Sequence, residues 1–283
     1  MSSFQRVIKY CAIAFAIMLT IGIVSGIAHA AFALVSVVSG DTFSREDRNT
    51  IDFNETYADV KSLDIENATG DFKIKIGETF KIEAQDVSES FDAKVDGNGE
   101  LTIRESKNRG NFFWFNFGGF DSINSKVTLY LPANFVAEEA KIDSGAGSVT
   151  IDSLKTDYLF ISAGAGNING RDMTAEEVKI DGGVGNVNLN EVNFNDADFD
   201  CGVGNLNIDG ILVGNNKIDC GVGEVDLSLK GNIDDYDLDI DSGVGTIRVN
   251  GEKISESDRR NNSAANSIKV DGGVGNVKID IKE

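Results

Sequence analysis

A single histidine, His29, serves the whole 283-residue chain, and it lies inside an apolar N-terminal run. The body beyond that run therefore has no imidazole for Ser-His-Asp or Cys-His catalysis, nor for the common zinc sites. Proline is as scarce, with Pro132 alone, so nearly every amide stays free to donate in a sheet ladder. No GxxxxGK[ST] phosphate loop occurs, and the glycine clusters precede strand-like segments, which excludes a dinucleotide fingerprint. Positive charge is short: 26 Lys and Arg stand against 46 Asp and Glu, a net charge of −20. Residues 1–40 carry only Arg6 and Lys9, so removing those two positive charges leaves −22 on the remainder. A body so acidic repels phosphate backbones and argues against a nucleic-acid partner. Nothing in the pattern calls for a cofactor.

What is abundant is glycine, 31 residues in all, and it is periodic. Gly-x-Gly recurs at 145–147, 164–166, 183–185, 202–204, 221–223, 243–245 and 273–275. The first five copies are 19 residues apart, and the last two intervals stretch to 22 and 30. A fixed step of this size marks a repeat architecture, whose units bury their apolar faces against one another. After each motif the sequence alternates, as in Asn186-Val187-Asn188-Leu189 and Asn205-Leu206-Asn207-Ile208. Such alternation puts one face in a core and the other in water. A second run, for example Val178-Lys179-Ile180-Asp181, leads into the next motif. The fold class expected is all-β, a single-stranded parallel β-solenoid (β-helix) of about 19 residues per coil. Counting by twos places Ile180, Gly182 and Val184 on the inward face, with the phase slipping after the second glycine. A variable stretch between the runs starts with one apolar contact (Leu154, Met173, Val192, Ile211), and it lengthens over 230–236 and 252–266 in the last units.

Stacking of coils generates columns. Asn167, Asn186 and Asn205 align at the corner, and Asn169, Asn188 and Asn207 two residues later, where amides can bond from coil to coil. Asp181, Asp200, Asp219, Asp241 and Asp271 form a third column, with Asp143 below. Carboxylates about 4.8 Å apart repel by roughly 1 kcal/mol in water. Two readings offset this: acceptance from the amides of the following glycine corner, or a bound Ca²⁺. Cys201 and Cys220 occupy equivalent positions on adjacent coils, where in-register side chains favour buried free thiols over a disulfide.

Five divisions follow: residues 1–9 as a cytoplasmic N-terminus, 10–39 as a transmembrane helix, 40–54 as a linker, 55–140 as irregular coils, and 141–283 as regular repeats. The uncharged run 10–39 exceeds the roughly 20 residues that cross a bilayer, and Arg6 and Lys9 before it orient its N-terminus to the cytoplasm. A cleaved signal peptide is the competing reading, because Ala28-His29-Ala30 fits a cleavage site. Either way the body is exported; with the anchor retained, the chain is a single-pass protein of the cell membrane with its C-terminal body extracytoplasmic. Within 55–140, Asp96-Gly97-Asn98-Gly99 reads as another corner, and the charged final strand 278–283 reads as a defended sheet end.

One local cluster stands apart. The segment 109–120 holds Phe112, Phe113, Trp114, Phe115, Phe117 and Phe120, with the chain's only Trp among them. These rings either cover the first coils or form an exposed loop that contacts membrane, glycan or a protein partner.

The alternating strands with their Gly-x-Gly corners resemble the bacterial putative-adhesin family of β-strand-repeat domains, whose molecular function is undefined. So does Lys126-Val127-Thr128-Leu129-Tyr130-Leu131-Pro132, leading through Ala140-Lys141-Ile142-Asp143-Ser144-Gly145 into the repeats. The resemblance covers about residues 55–283 and implies a surface or adhesive role without catalytic residues. A likeness to the nonapeptide Ca²⁺ repeat of RTX toxins fails, because Val187, Leu206, Val225 and Val277 stand where that motif needs Asp. The expected function is a membrane-anchored surface module for binding or structure, without catalysis, whose partners are the membrane through the N-terminal helix and a surface glycan or protein. A polysaccharide hydrolase or lyase on a β-helix is the first alternative, by fold analogy. An envelope sensor working through a membrane partner is the second.

Overall fold

Two files of buried side chains organise the computed structural model, which describes residues 50–105, 125–255 and 263–283. Among these residues the chain is all-β, with 21 strands and one short 3₁₀ turn. Most strands pair in parallel, and from residue 154 to 230 the register steps by 19 except across one bulge: Ile161 opposes Ile180, Ile180 opposes Phe199, and Phe199 opposes Ile218. Val187, Leu206 and Val225 likewise stand in one file on the facing wall. Each coil thus contributes one strand before its Gly-x-Gly corner and one after it. The inward residues of the two walls meet in a single core.

Following both files rung by rung gives nine coils. One file runs Ile103, Ile65, Ile142, Ile161, Ile180, Phe199, Ile218, Val270, Ile240. The other runs Val127, Phe72, Val149, Ile168, Val187, Leu206, Val225, Val277, Ile247. All eighteen side chains are buried. The numbers do not rise monotonically, because the chain overshoots by one coil at each end and then returns. Near the start, Ser62–Thr69 and Asp71–Gly77 are laid down before the outermost pair, Glu100–Glu105 and Lys126–Pro132. Near the finish, Tyr236–Asp241 and Ile247–Val249 form the outermost coil. Asn266–Val274 then enters the gap between Asn215–Val222 and Tyr236–Asp241, and Val277–Lys282 the gap between Val225–Lys230 and Ile247–Val249. The long insertions make the overshoot: Asn232 caps a turn over Ile233–Asp235 by accepting from the Asp234 amide at 2.9 Å, carrying the chain past one rung.

Several expectations change. The charged strand at 278–283 is not a sheet end, since it has a neighbour on each side; the charges serve Lys278, which pairs with Asp226 at 3.0 Å across the ladder. The pattern is not wholly parallel either. Thr50–Tyr57, Phe80–Ser88 and Lys126–Pro132 run antiparallel side by side, as do Phe91–Val95 with Glu100–Glu105 and Ile247–Val249 with Glu252–Ile254. The first of these strands already begins at Thr50, inside the stretch expected as linker, because Phe53 packs edge-on against Phe91. Asp96-Gly97-Asn98-Gly99 is a hairpin turn, not a solenoid corner: the Asp96 carboxylate accepts from the Asn98 and Glu100 amides at 2.8 and 2.9 Å. A one-residue bulge sets Gly210 opposite Val192, so Ile211 faces Asn193, and Leu212 takes the core position opposite Phe194. No helix among the described residues is long and apolar enough to cross a membrane; the run 10–39 lies outside them.

Glycine is required at the second corner position for two separate reasons. Gly166, Gly185, Gly204 and Gly223 have φ between +147° and +151°, where side chains are strained. A Cβ on each of them would also lie 1.8 Å from the carbonyl oxygen of the corresponding glycine one coil away. Coils approach so closely there that only hydrogen fits. Gly204→Ala is expected to destabilise the fold by at least about 2 kcal/mol. Gly97→Ala, whose Cβ meets nothing within 4 Å, should stay within about 0.5 kcal/mol. Urea midpoints of the two variants test this, and equal shifts would refute the close-approach account.

Candidate functional site

The strand leading into each Gly-x-Gly corner runs on to the middle residue, and the chain bends at the second glycine. Ile180 and Phe199 face inward, Cys201 and Cys220 in the next column are buried as well, and the alternation then breaks, with Gly183 and Val184 both exposed. Val184 therefore projects into solvent at 58% exposure, contrary to the inward placement expected from counting by twos. The cause is the odd spacing between Gly182 and Val187, which allows the phase slip anywhere between them; the corner places it before the valine.

Stacking repeats this outward valine on successive rungs. Val184 opposes Val203, Val203 opposes Val222, and Val222 opposes Val274, with Val244 bridged to Val274 at the last rung. Towards the other end the same file continues through Ala165 and Ala146. Five of the eight exposed large hydrophobic side chains among the described residues belong to this one file. They form an apolar ridge about 19 Å long at the ordinary strand spacing of 4.8 Å. Its backbone is fixed, because the Val184, Val203 and Val222 carbonyls accept from Gly166, Gly185 and Gly204 at 2.9 Å, and the Val274 carbonyl from Gly223 at 3.0 Å.

On one flank lies the asparagine corner. Asn167 Oδ1 accepts from the Asn186 amide at 2.9 Å, Asn186 Oδ1 from the Asn205 amide at 3.0 Å, and Asn205 Oδ1 from the Glu224 amide at 2.9 Å. This column thus bonds side chain to backbone. The second column is a true amide ladder: Asn188 Nδ2 donates to Asn169 Oδ1 at 3.1 Å, and Asn207 Nδ2 to Asn188 Oδ1 at 2.8 Å.

On the other flank lies the aspartate column. Of its members, Asp241 accepts from the following glycine corner, at 2.8 Å from the Gly243 amide. Lysines two residues upstream offset the repulsion for others: Lys179 pairs with Asp181 at 3.6 Å, and Lys217 with Asp219. Lys179, Asp198 and Lys217 also alternate in sign across adjacent rungs. Among the described residues no group of three or more His, Cys, Asp or Glu is arranged to hold a metal ion. Cys201 and Cys220 are free, buried and Cα partners. The neighbouring Cys201 thiol first, then burial, then the nearby carboxylates push the Cys220 thiol up, while the proximity of Cys220 lowers Cys201.

At the foot of the column Asp143 stands beside Glu66, and Arg104 reaches both Asp64 and Glu66, the latter at 3.3 Å. Burial first, then the charges of Glu66 and Asp64, raise the Asp143 carboxyl above its ordinary range. The residues singled out as a ligand-contact loop (Phe112, Phe113, Trp114, Phe115, Phe117) lie outside the described residues.

A family model, toastrack DUF4097, matches residues 60–268. The chain belongs to this family. No curated protein matches it. Solved structures similar to this toastrack chain include a putative cell adhesion protein from Clostridium sporogenes, with 18% identity, 82% of this chain and 100% of that one covered, and a TM-score of 0.42. Others are a putative adhesin from Bacteroides fragilis (14% identity, 82% and 97% covered, TM-score 0.39) and a putative lipid binding protein from Parabacteroides distasonis (12%, 83% and 97%, 0.44).

The pH behaviour of Asp143 follows from its surroundings. The folded toastrack body holds that proton more tightly than the unfolded chain, so losing it as pH rises through the raised folded pKa costs stability. Asp143→Asn is therefore expected to raise the thermal midpoint modestly at neutral pH. The gain should vanish in acid, where the native carboxyl is protonated. A gain that persists unchanged at low pH would contradict this account.

Proposed function

We propose that this toastrack protein is a non-catalytic binding or structural module, tethered to the cell membrane by residues 10–39, with its solenoid body outside the cytoplasm. The observation that carries the reading is the valine ridge: apolar side chains held in register on a hydrogen-bonded backbone, where coil stacking could equally have presented polar ones. A rigid ridge loses little conformational entropy on contact, which favours binding by a preformed surface. The Asn and Asp columns beside it supply a polar rim, the usual setting of an apolar contact strip. The contact partner in this reading is a surface protein or glycan, and the aromatic segment 109–120 is a second contact element.

Replacing Val203 and Val222 together by serine should leave thermal stability nearly unchanged, since exposed substitutions shift it by about 0.5 kcal/mol or less. It should nevertheless reduce attachment of cells expressing the full chain to neighbouring cells or to a glycan array. Attachment equal to the parent's, or polysaccharide cleavage without attachment, would reverse the reading. The tether has its own test: the full chain should stay with membranes through an alkaline carbonate wash, and release into the wash would show that 10–39 does not anchor it.

A further inference from the structure

Granted that the body is a binding module, we propose that the outer face of its last rungs holds a site for a saccharide carrying an isolated carboxylate, with Arg248 as the anchor. A cleft of about 310 Å³ opens there, lined by Glu224, Thr246, Arg248, Asn276, Val277 and Lys278. That volume is at the small end of ligand sites, which suits the end of a glycan chain.

The cleft begins where the amide ladder stops. The column of Asn169, Asn188 and Asn207 continues upward through Asp226 and Lys278 to Arg248. Lys278 is already committed, to Asp226 at 3.0 Å and to Asp280 at 3.3 Å. Arg248 is not. It is exposed, and among the described residues its guanidinium meets only the Gly251 carbonyl, at 3.4 Å. In the neighbouring column, Asn276 Oδ1 accepts from the Thr246 amide at 3.2 Å, which leaves its Nδ2 to donate. The Thr246 hydroxyl and the Glu224 carboxylate likewise have no hydrogen bond or ion pair to the described residues.

These unspent groups select the ligand. A guanidinium takes a carboxylate through two parallel N–H···O bonds. Sugar hydroxyls both donate and accept, so they can satisfy Glu224, Asn276 and Thr246 together. Glu224 and Arg248 stand two rungs apart, about 10 Å at ordinary strand spacing, so one ligand meets an acceptor at one end and a cation at the other. Val274 and Val244, 48% and 56% exposed and two residues before Asn276 and Thr246, offer the apolar face of a ring its contact. A net charge of −20 repels polyanions, so the carboxylate has to be sparse in an otherwise neutral glycan.

The test titrates the purified full chain at low salt with disaccharides ending in glucuronic, galacturonic or sialic acid, each beside its neutral counterpart, and follows the sugar's proton NMR signals. At least one acidic sugar should bind about tenfold or more tighter than its neutral counterpart, as one charge-assisted pair allows. Arg248→Gln should bring that sugar down to the neutral level, and Arg248→Lys, which keeps the charge but not the fork, should retain part of the difference. Arg171→Gln, at an exposed arginine lower on the same wall, should change nothing. Unchanged thermal midpoints and unchanged binding of the neutral sugar show that the variants keep their fold. No preference for any acidic sugar, tighter binding of polygalacturonate than of the disaccharides, or an Arg248→Gln variant as tight as the parent each overturns the proposal. Cell attachment reads the valine ridge instead, so failure there with the disaccharide still bound counts against the ridge alone.

Discussion

The coils are held in step by a contact that only hydrogen can make. At the second glycine of each corner, the carbonyl of one coil sits where the Cβ of the next would be, 1.6 to 2.0 Å from that position along the whole stack. Everything else about the corner follows. The close approach lets the amide of each corner bond to the carbonyl of the next at 2.9 to 3.0 Å. It fixes the register that files Ile180 on Phe199 and Leu206 on Val225, and it turns the intervening residue outward. Apolar burial supplies the bulk of the driving force, but with a side-chain period of two it excludes only slips by an odd number of residues. The glycine column selects the register.

Much of this was readable from the residues, because steric demands of that kind leave a composition behind. A period of 19 with glycine at two fixed positions has few architectures open to it, and the order of strands from 137 to 230 follows directly. The segment Ile65-Glu66-Asn67-Ala68-Thr69-Gly70-Asp71-Phe72-Lys73-Ile74 is itself a loose copy of 142–151, and aligning the two sets Phe72 against Val149, as the sheet does. The order of coils at the ends was not readable. The motifs at 243–245 and 273–275 are chemically alike, and either could have stacked on the motif at 221–223; only the lengths of the connections decide. The outward valine escaped for a different reason. The step from Gly182, the last inward position of one strand, to Val187, the first of the next, is an odd five residues, and alternation cannot say where within that interval the phase slips. The aromatic segment 109–120 has no partner repeat, so periodicity says nothing about it.

The acidic face is built on a related economy. An aspartate column would be expected to repel itself, yet lysines on the adjacent column alternate with it in sign, and Arg104 is shared between Asp64 and Glu66. Most of these pairs are solvent-exposed and individually weak. Their value lies in spacing, since each one also marks a rung. Asp200 breaks the pattern, with Asp198 two residues before it where Asp181, Asp219 and Asp271 have Lys179, Lys217 and Lys269. One stretch of repeat thus places an apolar ridge, an amide ladder and a pair of thiols within a few residues of one another.

The interleaved finish also sets an order of events during synthesis. Residues 236–249 leave the ribosome before residues 266–282, yet the earlier segment has no parallel neighbour except the later one. That coil must wait, with Tyr236, Leu238, Ile240 and Ile247 uncovered, until the chain doubles back and slides a rung beneath it. Completion of the solenoid is therefore an act of insertion, and its last step covers those four side chains together.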